Sequence, residues 1–458
     1  MGAFFSLLAA GDLCLSSLTL DRAEGIAQEH NPLYLITEQR EIGAHERTQE
    51  AYSRWFPQIT YSAEYRQSQR SELYLDIYST EFGLFKHGYW SSFDVTQPLF
   101  SPHLLFDLRA RRNEEEAAHA RYAGSLNDLL FALRQSFYAV ALYENTMDIR
   151  RETVDYLSYA MEIEQRRLEA GTTISLEFNR SKAAVANAIS SYYTALRNLK
   201  SSRNALILNL GIDPMLEPQL SLESNRFPLA SIPPIALKLP LIKGMNFARQ
   251  IERLDASRQL LVFSELEVLH YYTQAEEQRP ILKERAEEME AAQQVVRMKQ
   301  GTYLPEVGAY ARFSYNDEDL GARNFLNEPY RWVGGITLNW KLFDSFAREH
   351  EINETKAALR AAKLAYREAR QHVDVEVRNA LYELEEALFS YASADEAVQV
   401  ALQAVGDAKE RLTVGRIPPL DYRDAVNALA LARDQQNQAS FSLMNAYYAL
   451  RHATGSDT

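Results

Sequence analysis

Few residues in this chain have spacing that chemistry could use. Asp421 and Asp424 stand three apart in Asp421-Tyr422-Arg423-Asp424, six residues after Gly415. At i and i+3 two acids share one helix face, and near a helix start they suit the positive end of the dipole. Nothing catalytic accompanies them. The sequence has no glycine-rich phosphate loop, no Gly-x-Ser-x-Gly and no His-Glu-x-x-His. Its nine histidines are scattered without i, i+3 or i, i+4 ligand spacing. The one cysteine, Cys14, excludes an intramolecular disulfide and a Cys-based zinc site. No enzyme, metal site or cofactor is expected. Acid runs such as Glu114-Glu115-Glu116, Glu287-Glu288 and Glu385-Glu386 read as solvated faces.

Two further motifs are short and doubled. Arg167-Leu168-x-x-Gly171 reappears as Arg411-Leu412-x-x-Gly415, an offset of 244. Glycine at a helix end supplies the left-handed residue that stops the helix. Other pairs hold nearly the same offset. Asn31-Pro32 matches Arg279-Pro280 and Phe56-Pro57 matches Leu304-Pro305, both at 248. Leu99-Phe100 matches Leu342-Phe343 at 243, and Leu176-Glu177-Phe178 matches Leu420-Asp421-Tyr422 at 244. The chain therefore reads as one unit written twice.

The elements that would position these motifs follow from periodicity. Repeat 1 covers 18–211: a helical stretch, strands near 58–67 and 89–100, a long helix over 101–170 and a return helix over 175–210. Repeat 2 covers 266–455: a helical stretch, strands near 306–315 and 331–343, a long helix over 345–413 and a return helix over 420–453. Between them, 212–265 is a linker; six of the fifteen prolines fall within 212–240, so it cannot be helical throughout. A helix of about 70 residues spans roughly 105 Å, which two shorter helices end to end would match. That predicts a long antiparallel rod of helices.

The strands alternate. Ile59, Tyr61, Ala63 and Tyr65 share one parity, as do Tyr89, Phe93, Val95 and Leu99. Val307, Ala309, Ala311, Phe313 and Tyr315 do the same, and so do Trp332, Ile336, Leu338, Trp340 and Leu342. Strands of about 9–11 residues suffice to cross a bilayer. The four tryptophans, Trp55, Trp90, Trp332 and Trp340, lie in these strands or just before one, as aromatic anchors at a membrane interface would. Four strands cannot close a barrel with an open interior, and an open edge in lipid leaves backbone groups unpaired. Sister chains must then complete it. A small soluble sheet with one face on a core remains the alternative for the strands alone.

Composition narrows the partners. The chain has 458 residues and a formal charge of −13, which argues against nucleic acid. Hydrophobic residues make up 46%, so the chain is not generically disordered. With 18 Gly and 15 Pro, breakers are few and elements long. No apolar run reaches the roughly 18 residues of a spanning helix, which leaves β-strands as the membrane option. Residues 1–17 read as a clipped export signal or a disordered start, since Ala3–Ala10 is apolar but the first basic residue is Arg22. Cys14 lacks the flanking pattern of a lipid-anchored cysteine and reads as a bystander thiol.

Taken together, the Asn31-Pro32 pair, the Phe56-Pro57 and Leu304-Pro305 strand starts and the doubled Arg-Leu-x-x-Gly turns resemble the outer membrane efflux protein family, the TolC-like channels. The resemblance covers nearly the whole chain. It implies an α+β membrane protein: a long antiparallel α-helical barrel in the periplasm, plus four strands per chain that complete a twelve-stranded β-barrel in outer-membrane lipid as a homotrimer. It implies a passive duct that docks onto a periplasmic adaptor protein and an inner-membrane pump or ABC transporter. In the family the two turns form the periplasmic tip, so Arg167, Leu168, Gly171, Arg411, Leu412 and Gly415 are expected at the adaptor contact. Paired aspartates after the second turn ring the closed aperture. Asp421 and Asp424 are thus expected as gate residues, with Arg416 and Arg423 in ion pairs that hold the tip shut. Six carboxylates from three chains would resist ionising together and bind cations. Pro418-Pro419 inside the second turn departs from the pattern. A soluble helical scaffold with a β-cap, or an adhesin displaying loops 67–88 and 316–330, are the competing readings.

Overall fold

The computed structural model describes residues 17–67, 87–215, 220–223, 227–229, 232, 238–240, 242, 262–317, 331–414 and 416–456. The start with Cys14, both strand loops, most of the linker and Gly415 lie outside the described residues.

The chain divides into two compact units. One holds Met1–Glu38, Arg121–Ile281 and Arg370–Thr458; the other holds Gln39–Ala120 and Leu282–Ala369. Eight helices carry the argument: α1 (Leu20–His30), α2 (Pro32–Ser53), α3 (Pro102–Glu169), α4 (Ser175–Leu210), α5 (Glu265–Gln278), α6 (Pro280–Gly301), α7 (Ala347–Thr413) and α8 (Pro419–Thr454). Four strands join them: β1 (Gln58–Gln67), β2 (His87–Phe100), β3 (Glu306–Asp317) and β4 (Arg331–Asn339). None of the described helices is long and apolar enough to cross a membrane.

The helical stretch before each strand pair is broken in two, at Asn31-Pro32 and at Arg279-Pro280. Proline lacks the N–H that would continue the preceding helix, yet its fixed φ suits the first turn of the next. Asn31 caps α2, its Oδ1 accepting from Leu33 N at 3.0 Å and Tyr34 N at 3.2 Å. Its Nδ2 donates to Asn209 O at 2.8 Å, tying this break to the end of α4. Arg279 fills the same role at the second break by donating to His452 O and, at 2.7 Å, to Glu376. The return helices end alike. Gly211 (φ +74°) and Gly455 (φ +73°) are left-handed caps. A Cβ on Gly211 would lie 2.4 Å from His30 O, and one on Gly455 2.8 Å from Gln278 O.

In the other unit the sheet runs β1-β2-β3-β4, antiparallel throughout. Register aligns one apolar row across all four strands, Tyr61–Phe93–Phe313–Trp332. Ile59, Tyr61, Phe93, Ile336 and Trp332 are all at least half exposed, and every residue of β4 is exposed. Among the described residues β1 and β4 are both free edges. Trp90 stands in register with Glu64 and Asn316. Trp332 lies on the apolar face, Trp340 follows β4 and donates Nε1–H to Tyr303 O at 3.0 Å, and Trp55 sits in the turn after α2.

Candidate functional site

The two doubled turns lie in the first unit, at the ends of α3 and α7. The first is a Schellman motif. Gly171 has φ +70°, its N–H donates to Leu168 O at 3.0 Å, and Thr172 N–H donates back to Arg167 O at 2.9 Å. Thr172 Oγ1 adds a third bond to the Arg167 carbonyl at 3.0 Å. The second turn repeats the longer bond, Arg416 N–H to Arg411 O at 2.8 Å. After each turn a return helix starts without a side-chain cap; α8 opens instead on Pro418 and Pro419, with Asp421 N–H donating to Pro418 O at 3.1 Å.

Between the return helices a buried cluster fixes both turns. Tyr422, fully buried, packs with Leu157 and Ala160 of α3, Val185 and Ala188 of α4, and Val405 and Leu412 of α7. Its hydroxyl has no hydrogen-bond partner among the described residues, and burial pushes the phenol up to about 12. Asp421 and Asp424 flank this anchor and are both exposed, as the i, i+3 spacing requires. Arg423 lies 3.7 Å from Asp424, its nearest carboxylate contact, and Arg416 is exposed. At the matching positions of the first turn, Glu177 and Arg180 pair with each other at 2.8 Å. The two copies therefore differ in kind: one neutralises itself and the other presents two carboxylates.

The expected contact residues do not behave alike. Arg411 is exposed, and Arg167 and Leu168 are half-buried. Leu412 is only 3% exposed and belongs to the cluster, so its expected place on the contact surface is corrected: α8 covers it through Tyr422. The exposed apolar side chains at the turns are Ile174 (62%), Leu176 (52%) and Val414 (68%). Sequence reading passed over these three, although apolar residues beside a glycine cap are the usual signal of its hydrophobic contact. It also missed Glu164, 2% exposed inside a run of charged residues that resembles a solvated face.

Long helices carrying a small antiparallel sheet, with paired helical turns remote from it in sequence, define a class, and comparison with known proteins names it. The sequence profile of the outer membrane efflux protein family matches residues 26–212 and again 271–456. The chain belongs to that family, which places it in the outer membrane. It is similar to outer membrane efflux protein BepC of Brucella suis, 27% identical over 164 residues, 35% of each chain. It is similar to protein CyaE of Bordetella pertussis, 29% identical over 180 residues, 39% of this chain and 37% of CyaE. The alignments thus span little more than a third of those relatives. The fold is shared with the Campylobacter jejuni CmeC outer membrane channel at a TM-score of 0.74 and 15% identity, over 95% of this chain and 85% of CmeC.

Proposed function

We propose that the chain is the outer membrane channel of a tripartite efflux or type I secretion system, a passive exit duct from periplasm to exterior. The observation that carries this, beside family membership, is the sheet. It exposes an apolar row with free edges at β1 and β4. In water such edges invite aggregation, and in lipid they would leave several kcal/mol per group unsatisfied. Three copies of a four-stranded sheet supply the twelve strands that remove every edge and leave a passage. Exposed apolar side chains on α4 (Ile189, Tyr193, Leu208) and α7 (Val375, Val400, Leu402) support the same assembly for the helices. A soluble scaffold has no use for Tyr61, Phe93, Phe313 and Trp332 in one exposed row.

On this reading the two family matches, together with the bond back to the arginine carbonyl in each turn, are internal repeats, and 212–265 links them. The turns form the tip that meets a periplasmic adaptor, through Ile174, Leu176 and Val414 beside Arg167, Leu168 and Arg411, with Gly171 shaping the first cap. The inner-membrane pump or ABC transporter lies beyond the adaptor. Asp421 and Asp424 from three chains line the aperture, with Arg416 and Arg423 as their countercharges. Trp55, Trp332 and Trp340 anchor the barrel at the interface. Two experiments test this. Purified protein in planar bilayers should form ion-conducting trimers; a monomer that passes no current would end the channel reading. Ile174→Asp with Leu176→Asp should abolish transport in cells while the trimer persists in the outer membrane, and full transport in that variant would remove the docking surface.

A further inference from the structure

A pocket of about 290 Å³ lies between the two tip turns. Its floor is apolar, built by Leu157, Ala160 and Ala184, and Pro418 and Pro419 wall one side. Into it faces Glu164 of α3, 2% exposed. One carboxylate oxygen, Oε2, has no hydrogen-bond partner among the described residues. Its other oxygen is 3.6 Å from Arg167 Nη1, beyond hydrogen-bond reach. Of the other charges lining the pocket, Glu177 is paired with Arg180 at 2.8 Å, while Arg167 and Arg423 are held loosely, 3.6 Å from Glu164 and 3.7 Å from Asp424. A buried carboxylate left short of donors is costly, and a persistent one calls for a group that completes it.

We propose that this pocket is a binding site for an aliphatic cation, an alkylguanidinium or alkylammonium group, with Glu164 as its acceptor. The apolar floor takes the methylene stem, while the carboxylate and the hydroxyls of Thr173 and Ser181 face the charged head. Arg167 and Arg423 balance Glu164 and Glu177 in the lining, but the buried atom short of a partner is a carboxylate oxygen, which calls for a donor rather than an anion. A metal ion lacks ligands, since among the described residues no three His, Cys, Asp or Glu side chains converge. The cation has two sources. One is a free cationic molecule in transit. The other is a basic side chain of a docked partner, which rests on the docking reading of the tip.

The test uses the detergent-purified trimer and agmatine as the alkylguanidinium probe. Calorimetry should show saturable binding to the unaltered protein, weakened about tenfold or more in Glu164→Gln, as loss of a charge-assisted bond requires. Ser181→Phe, which fills the pocket from its wall and spares Glu164, should abolish binding too, and it decides the matter if Glu164→Gln fails to assemble. No binding to the unaltered trimer, or equal binding to both variants, overturns the site. Bilayer currents then separate the sources. If agmatine binds and reduces current, the pocket opens onto the duct and takes free cations; if it binds without changing current, the pocket receives a partner's side chain. Failure of the tip substitutions in cells would remove docking but leave the calorimetric result intact.

Discussion

Tyr422 offers the sharpest check on how the tip is held. Its ring is fully buried among α3, α4 and α7, and its hydroxyl has no hydrogen-bond partner among the described residues. Burying a hydroxyl without a compensating hydrogen bond costs about 1–3 kcal/mol by protein mutational measures. Tyr422→Phe removes that cost and keeps the ring, so it should stabilise the packed position of α8 by roughly 1–2 kcal/mol, a factor of about 5–30 in any equilibrium that unpacks it. Tyr422→Ala removes the ring and should cost about 3–5 kcal/mol. If the aperture opens by lifting the first turns of α8, these two substitutions move open probability in opposite directions. Single-channel recording in planar bilayers measures it: Tyr422→Phe should lower open probability and Tyr422→Ala should raise it. Unchanged open probability in Tyr422→Ala would refute the anchoring argument, and a less stable Tyr422→Phe would show that the hydroxyl is engaged after all.

Three further outcomes are expected. Asp421→Asn with Asp424→Asn should weaken block by divalent or trivalent cations in the same recordings, because it removes the exposed carboxylates that copy one does not present; an unaltered block would exclude them from the aperture. Gly211→Ala should destabilise far more than Gly171→Ala. Both require positive φ, at about 1–2 kcal/mol for an L-residue, but only at Gly211 does the added Cβ meet backbone, at 2.4 Å; equal melting temperatures would show that the α1–α2 junction yields. His45 on α2 has its pKa raised, chiefly by its hydrogen bond to Glu115 of α3 at 2.7 Å. A raised folded pKa gives stability that is full below the unfolded value near 6.5 and lost as pH rises through the folded one. His45→Gln should therefore lower thermal stability at pH 5.5 and leave it unchanged at pH 8.5; an equal loss at both would mean packing, not charge.

Much of this fold is legible because its elements are long and their periods clean. The helix breaks at Asn31-Pro32 and Arg279-Pro280 are written in the prolines, yet a reading by hydrophobic period alone runs straight through them. The four strands are visible as period-two runs, and the pairing register follows the same period. Burial at the tip is harder. Arg167-Leu168 and Arg411-Leu412 are the same motif, yet Leu168 is half-buried and Leu412 nearly inaccessible. The difference comes from what packs against each turn. Tyr422 stands where copy one has Phe178, and it shares a buried cluster with Leu412 and with Leu157, Ala160, Val185 and Ala188 from the other copy, a grouping that no local pattern contains.

Function tends to sit where the two copies diverge, because what they share is what the scaffold needs. Both turns keep the bond from the residue after glycine back to the arginine carbonyl, and both return helices end on a left-handed glycine. These positions answer to backbone geometry, and either copy would serve any duct of this build. The divergence is electrostatic. Glu177 and Arg180 satisfy each other, so the first turn presents no net charge from that pair. The second turn places Asp421 and Asp424 on an exposed face with Arg423 between them and only 3.7 Å from one of them. A ring of three chains would therefore alternate neutral and acidic stations around its mouth, and only the acidic ones could hold cations or respond to their removal. Pro418 and Pro419 remove two backbone donors and fix two φ angles just before the acids, so the carboxylates are held by the chain itself while their charges repel.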